Sequence, residues 1–286
     1  MAHQAAQLFL PRPEVASLIM AGVARDTRGL ALSSDERFNY YPATPMLIVS
    51  WVFAGELFVV ESAGRGGNPR LSPRIEAVTL AGPQRHPTAS WSPGPFHALS
   101  VGFFPDVLSK VLGLRIDSLI DRIVPLRSVA SGAFVECCEQ VLACGTSAAA
   151  FDQLQSGLEP FCSGPHTTRL EPRIGDWVRS MAIHSQAGKR LRRVQRYFKR
   201  WIGQSYRDLQ VFSRIENAVD RAGSNRIDGE LRLAALASEA GFADQSHMGR
   251  EIRSITGFSP KRLDDLMATN AAFWYYRLIA EAFGGW

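Results

Sequence analysis

The chain has 286 residues, is 46% hydrophobic and 21% charged, and carries a formal net charge of +5. Such a composition excludes a disordered chain and a collagen-like repeat, and the length is enough for two domains. Its four cysteines, Cys137, Cys138, Cys144 and Cys162, are too few and too clustered for a secreted disulfide framework, so reduced thiols are expected.

The first 105 residues read as β-rich. Met46–Glu61 is dominated by Val, Ile, Leu, Phe and Trp, with a turn or bulge at Gly55. Its apolar core, Met46 to Val60, is 15 residues long and holds Ser50, Gly55 and Glu56, short of the ~20 needed to span a bilayer. The start of the chain has no basic region and carries Pro11, Pro13 and Glu14, so no secretory signal is read and a cytoplasmic location, away from membranes, is expected. A Gly- and Pro-rich loop is predicted over Ser62–Pro73, then short strands at Glu76–Leu80, Thr88–Trp91 and His97–Phe104. Short strands between Gly-Pro turns suggest a small barrel or sandwich. Beyond Pro105, helical spacing is read over Asp106–Leu112, Asp117–Ile123, Gly132–Cys144 and Asp152–Phe161. Ser163–Thr168 reads as a linker, and only helices are read after Arg173.

Charge divides the chain more sharply than hydropathy does. Residues 1–168 hold 12 basic and 14 acidic side chains, residues 169–262 hold 19 and 10, and residues 263–286 hold 1 and 3. The excess positive charge therefore lies in one stretch, which points to a polyanionic partner for that stretch alone.

A repeat runs through the basic stretch. Ile183-His-Ser-Gln-Ala-Gly188 aligns with Leu236-Ala-Ser-Glu-Ala-Gly241, and Phe198–Ser205 aligns with Ile252–Ser259. Each copy reads as a short helix stopped at Gly, a tight turn, and a second helix stopped at Gly, the sequence form of a helix-turn-helix. In the first copy Leu191, Val194, Phe198 and Trp201 form an apolar stripe, opposite Arg192, Gln195, Arg196 and Lys199. In the second, Met248, Ile252 and Ile255 form the stripe, opposite Gln245, Ser246, Gly249, Arg250 and Arg253. Arg and Gln are the side chains that pair bidentately with guanine and adenine in the major groove. Seven of the twelve residues from Lys189 to Arg200 are basic, enough for phosphate contacts as well.

Gly241-Phe-Ala-Asp-Gln-Ser-His-Met-Gly-Arg-Glu-Ile-Arg-Ser-Ile-Thr-Gly-Phe-Ser-Pro260 resembles the signature of the AraC/XylS family of bacterial transcription regulators. Arg190–Ser205 resembles that family's first helix-turn-helix, and Ser213-Arg-Ile-Glu-Asn-Ala218 the start of its connecting helix. The resemblance covers roughly 170–265 and implies two recognition helices, Arg190–Trp201 and Asp244–Thr256. It implies base contacts from Arg192, Gln195 and Arg196 in the first, and from Gln245, Ser246, His247 and Arg250 in the second. This chain departs from the family at His184, where a small residue is usual, at Arg190, which replaces a Ser cap, and at Met248 and Ile252, which replace aromatics.

The first half resembles the family's cupin-like sensor and dimerisation domain. The expected fold is thus α+β and multidomain: an N-terminal β-rich, cupin-like barrel with following helices over 1–165, an all-α DNA-binding domain with two helix-turn-helix motifs over 169–268, and a helical tail over 269–286. Residues 169–286 are expected to fold alone. The implied partners are double-stranded DNA, a small-molecule effector and a second copy of the chain, with RNA polymerase a further partner of an activator. DNA-contacting residues are Arg192, Gln195, Arg196, Lys199, Gln245, Ser246, His247, Arg250 and Arg253.

No cofactor, metal site or catalytic set is expected. His86 and His97 lack the second histidine two residues away that a metal-binding cupin offers. Cys137, Cys138 and Cys144 fit buried packing better than a zinc pattern. The competing reading, a DNA-binding domain fused to an alkyl-transfer or cupin-type enzyme, lacks a Pro-Cys-His nucleophile and a four-Cys site.

Overall fold

Alternation along neighbouring strands sets the architecture of the first half. In the computed structural model, residues 5–62, 69–162, 173–186, 198–200, 202–225 and 237–282 are described, over 182–186 and 220–225 by their backbone alone. The strands are β1 (Ala6–Phe9), β2 (Ile19–Asp26), β3 (Phe38–Tyr41), β4 (Leu47–Ala54), β5 (Phe58–Ser62), β6 (Arg70–Arg74), β7 (Val78–Ala81), β8 (Thr88–Trp91), β9 (His97–Phe103) and β10 (Ile123–Pro125). They form a six-stranded sheet, β1-β2-β9-β4-β7-β10, and a four-stranded sheet, β3-β8-β5-β6, both antiparallel.

Side chains alternate across a strand, so each strand of the larger sheet feeds two faces. Leu47, Val49 and Trp51 of β4 and Leu99, Val101 and Phe103 of β9 point to one face and are fully buried. That face packs against α1 (Pro105–Leu112), α2 (Ala133–Gln140) and α3 (Ser147–Leu158). Trp51 Nε1 donates to the Cys138 carbonyl at 2.6 Å, and His97 Nε2 meets Ser147 Oγ at 2.7 Å, so these two ring nitrogens are paired within the core. Thr146 caps α3 by accepting from Ala149 N–H at 3.2 Å. Helices α2 and α3 approach closely because residue 157 is Gly; a Cβ there would meet Cys137 Sγ at 2.2 Å. The other face (Ile48, Ser50, Val52, Ala98, Ser100) looks across a cavity toward the smaller sheet.

The second half is helical throughout its described residues. Helix α4 (Ile174–Gln186) packs on α5 (Tyr206–Asn225), and the Glu216 carboxylate of α5 accepts from Ile174 and Gly175 N–H at 2.8 and 2.7 Å, capping α4. Helices α6 (Gln245–Thr256), α7 (Pro260–Thr269) and α8 (Trp274–Ala282) follow. Trp177, Met181, Phe198 and Ile202 share one core with Ala43, Met46 and Phe104 of the first half. Trp177 Nε1 also donates to Asp106 Oδ1 at 2.9 Å. A fragment 169–286 would carry these side chains without those partners.

Helix α8 lies across β1 and β3, one edge strand of each sheet. Covering such edges removes unpaired strand surface. Over its described residues the tail packs on the protein itself: Phe273 stacks on Tyr40 with centroids 4.7 Å apart, and Trp274 meets Tyr41 edge-on at 6.0 Å.

Two sequence readings are corrected. Part of the Ser62–Pro73 loop is strand: β6 pairs with β5 and includes Pro73, which an edge strand tolerates. Asp117–Ile123, read as helix, is a 3-10 turn (Ile116–Ser118) and then β10, which pairs with β7. Asp121 takes a positive φ of 55° there, its carboxylate accepting from Arg85 N at 2.7 Å. The Leu119 carbonyl presses on residue 82, where a Cβ would meet its oxygen at 1.9 Å, so Gly82 is required. The linker Ser163–Thr168 lies outside the described residues.

Candidate nucleic-acid interface and adjoining cavity

The second helix of the second repeat copy is α6. The Asp244 carboxylate caps α6 by accepting from His247 N–H at 2.7 Å, and Gly257, at a φ of 84°, closes its other end with an N–H to the Arg253 carbonyl at 2.9 Å. Met248 and Ile252 are buried against Ile215, Ala218, Val219 and Phe242, while Gln245, Ser246, Arg250 and Arg253 are exposed. Four of the five residues assigned to this helix therefore share one solvent-facing surface.

His247 is placed differently. It is half-buried, and Nδ1 accepts from Ala243 N–H at 3.3 Å. The ring proton then sits on Nε2 and donates to Glu251 Oε1 at 3.0 Å. Glu251 also receives a two-pronged bond from Arg214 of α5, at 3.1 and 2.6 Å, and the Arg214 guanidinium lies 5.7 Å from the Phe242 ring centroid. The three side chains fix the rotation of α6 against α5, and so aim its exposed face. Arg214 and Glu251 are 37 residues apart, and nothing in local sequence marks them as partners.

Of the first copy, Lys199 is exposed beside the buried Phe198, as the stripe predicts. Arg192, Gln195 and Arg196 lie outside the described residues, as does most of Arg190–Trp201.

A cavity of about 340 Å³ lies behind α6. Its walls are the inner faces of both sheets, α5 (Phe212, Ile215, Val219), the last turn of α6 (Ile255, Thr256) and α8 (Trp274, Tyr276, Ile279). The lining is mostly apolar, the composition of a small-molecule pocket. Arg25 is the cation in this wall, 3% exposed. Its Nη1 donates to Asn39 Oδ1 at 2.5 Å, and its guanidinium lies 5.9 and 5.4 Å from the Phe96 and Trp274 ring centroids. It forms no ion pair with a described residue. Burial pushes it down to about 10, which leaves it charged at neutral pH. The sequence signal for this site is an Arg inside the mostly apolar run Ile19–Asp26.

The cysteines match their reading as packing: Cys137 and Cys138 are buried free thiols pushed up by desolvation, the state of inert cysteines. Among the described residues no group of three His, Cys, Asp or Glu converges to hold a metal, and no helix is long and apolar enough to cross a membrane.

No family model and no curated protein matches the chain. Solved structures of ToxT from Vibrio cholerae resemble it. One is 11% identical, with a TM-score of 0.38, covering 91% of this chain and 96% of that one. An apo variant of the same protein is 11% identical, at a TM-score of 0.37, with 90% and 95% covered. A form of ToxT bound to an unsaturated fatty acid is 14% identical, at a TM-score of 0.34, with 79% and 91% covered. Likeness at this level fixes neither a shared fold nor a shared function.

Proposed function

We propose that this protein is a sequence-specific regulator of transcription of the AraC/XylS type, which binds double-stranded DNA through two helix-turn-helix motifs within 169–268 and responds to a small molecule held in the cavity. The observation that carries this reading is α6: a capped helix with two buried apolar anchors, and with Gln245, Ser246, Arg250 and Arg253 on one open face. Those are base- and phosphate-contacting side chains on an element stiff enough to enter a major groove. The basic run Lys189–Arg200 supplies the second contact, through Arg192, Gln195, Arg196 and Lys199, and most of the phosphate neutralisation. His247 acts by holding the helix, through Glu251, more than by reaching a base.

The effector this cavity suits is a mainly apolar molecule with one acidic group. Apolar walls recognise its body, and Arg25, buried without an ion-paired carboxylate among the described residues, is the counter-ion for its charge. The region 1–165 serves as sensor and as the dimer contact, since its charge disfavours DNA.

Footprinting on DNA upstream of the gene and its neighbours, followed by gel-shift titration, tests the reading. Arg250→Ala is expected to weaken specific binding by about 1–3 kcal/mol and to relax preference at one base pair. Lys199→Ala should weaken binding to every sequence alike and lower the salt slope by about one. Equal loss on specific and random DNA for Arg250→Ala would remove α6 as the reading element.

A further inference from the structure

Helix α8 follows the segment that resembles a DNA-binding domain, and nothing in that resemblance assigns it a task. Its placement does. Its first turn makes two attachments on opposite sides, and one holds the sheets: Trp274 Nε1 donates to Asn39 Oδ1 at 3.0 Å, the same oxygen that accepts from Arg25. Asn39 is fully buried, and its Nδ2 donates to Ser90 Oγ at 3.2 Å. The other, two residues on, holds the recognition helix: Tyr276 Oη donates to the Thr256 carbonyl at 3.3 Å. The last turn of α6 is tied to the sheet region once more, by Ala43 N–H to the Ile255 carbonyl at 2.8 Å. The same two side chains form cavity wall together with Ile255 and Thr256.

We propose that α8 is an intramolecular strap which couples the cavity to the DNA-reading helix, with Asn39 as its latch. A molecule in the cavity touches strap and recognition helix at once, and an anion drawn to Arg25 acts on the oxygen that also holds Trp274. Occupancy thereby alters how firmly the last turn of α6 is seated on the sheets, through differential contact with the seated and released states. The inference rests on the cavity being the effector site of the proposed regulator, but its test needs no DNA.

The test is hydrogen exchange, followed by mass spectrometry, on the full chain and on two conservative variants, Trp274→Phe and Tyr276→Phe. Each keeps an aromatic ring and removes one donor, though Trp274→Phe also loses the five-membered ring of the indole. Loss of one such bond is expected to speed exchange about fivefold over residues 252–258 and at Ala43, while α3 and β9 stay as protected as before. The probe for occupancy is 8-anilinonaphthalene-1-sulfonate, an apolar anion. It should slow exchange over 252–258 in the unmodified chain and have a smaller effect in Trp274→Phe. Unchanged exchange over 252–258 in both variants, with circular dichroism showing them folded, would overturn the strap. So would equal slowing by the anion in the variant and the unmodified chain. A chain that shows this coupling but binds no DNA would retain the strap and lose the regulator.

Discussion

The two faces of the six-stranded sheet are built from the same strands and have opposite fates. On β4, Val49 and Trp51 enter a dry core with no exposure, whereas Ser50 and Val52, one residue away, border a cavity. Both faces are mostly apolar, so the difference does not come from hydrophobicity. It comes from what stands opposite. Helix α3 presses against the first face closely enough that a Cβ at Gly22 of β2 would meet the Phe151 ring at 2.8 Å, while the second face meets a separate sheet, one edge of which is closed by α8. A packed face stabilises the fold; a face held apart leaves room for a ligand.

The largest expected effect sharpens that contrast. Trp51→Ala removes the largest buried side chain of the dry face and its hydrogen bond to the Cys138 carbonyl. It should cost about 3–5 kcal/mol in urea unfolding. A like-for-like pair on the same strand follows. Val49→Ala should cost about 2 kcal/mol, from two lost methyl groups and an unfilled void, whereas Val52→Ala, half-buried at the cavity wall, should cost about half as much. Equal losses at the two positions would mean that the second face is as tightly packed as the first.

Smaller in stability but larger in binding is Arg25→Met. The substitution removes a desolvated cation of similar length, and Asn39 Oδ1 keeps its bond from Trp274. Unfolding free energy should move by no more than about 1 kcal/mol, in either direction. Affinity for 8-anilinonaphthalene-1-sulfonate, read by its fluorescence, should fall about tenfold if Arg25 is the counter-ion of the cavity. Undiminished affinity would make the cavity a purely apolar void.

The same contrast explains what the sequence disclosed. Thr88–Trp91 and His97–Phe103 were legible as strands because turn residues bound them on both sides. Residues 245–256 were legible because cap, stripe and terminal Gly are all local signals. The strands β1, β2 and β3 were not placed individually: Arg25 and Asn39 break the apolar alternation there, and they are tolerated because each satisfies the other across 14 residues. The strand β10 was hidden because its pairing with β7 is long-range and local spacing there looks helical. The sites followed the same rule. Exposed faces of one helix could be counted off in sequence, whereas a cavity walled by β2, β4, α5, α6 and α8 exists only after the chain has closed.

The smallest expected effect concerns the end of the dry face. His97 sits there, 4% exposed, against Ser147 Oγ and tilted on the Phe53 ring at 4.8 Å. Desolvation lowers its pKa from the usual value of 6.5, and this outweighs the attraction of Asp26, which raises it. The folded protein therefore resists protonating a residue that the unfolded chain protonates readily. Below pH 6.5 the unfolded state binds more protons, so stability should decline as pH falls from 6.5 toward the lower folded value, and should be flat in this respect above 6.5. Urea midpoints measured across that window should show a slope of less than one proton, and His97→Gln should remove it while Val52→Ala leaves it in place. A slope that persists in His97→Gln would assign the pH dependence to another group, and would mean that this end of the dry face is open to water like its opposite.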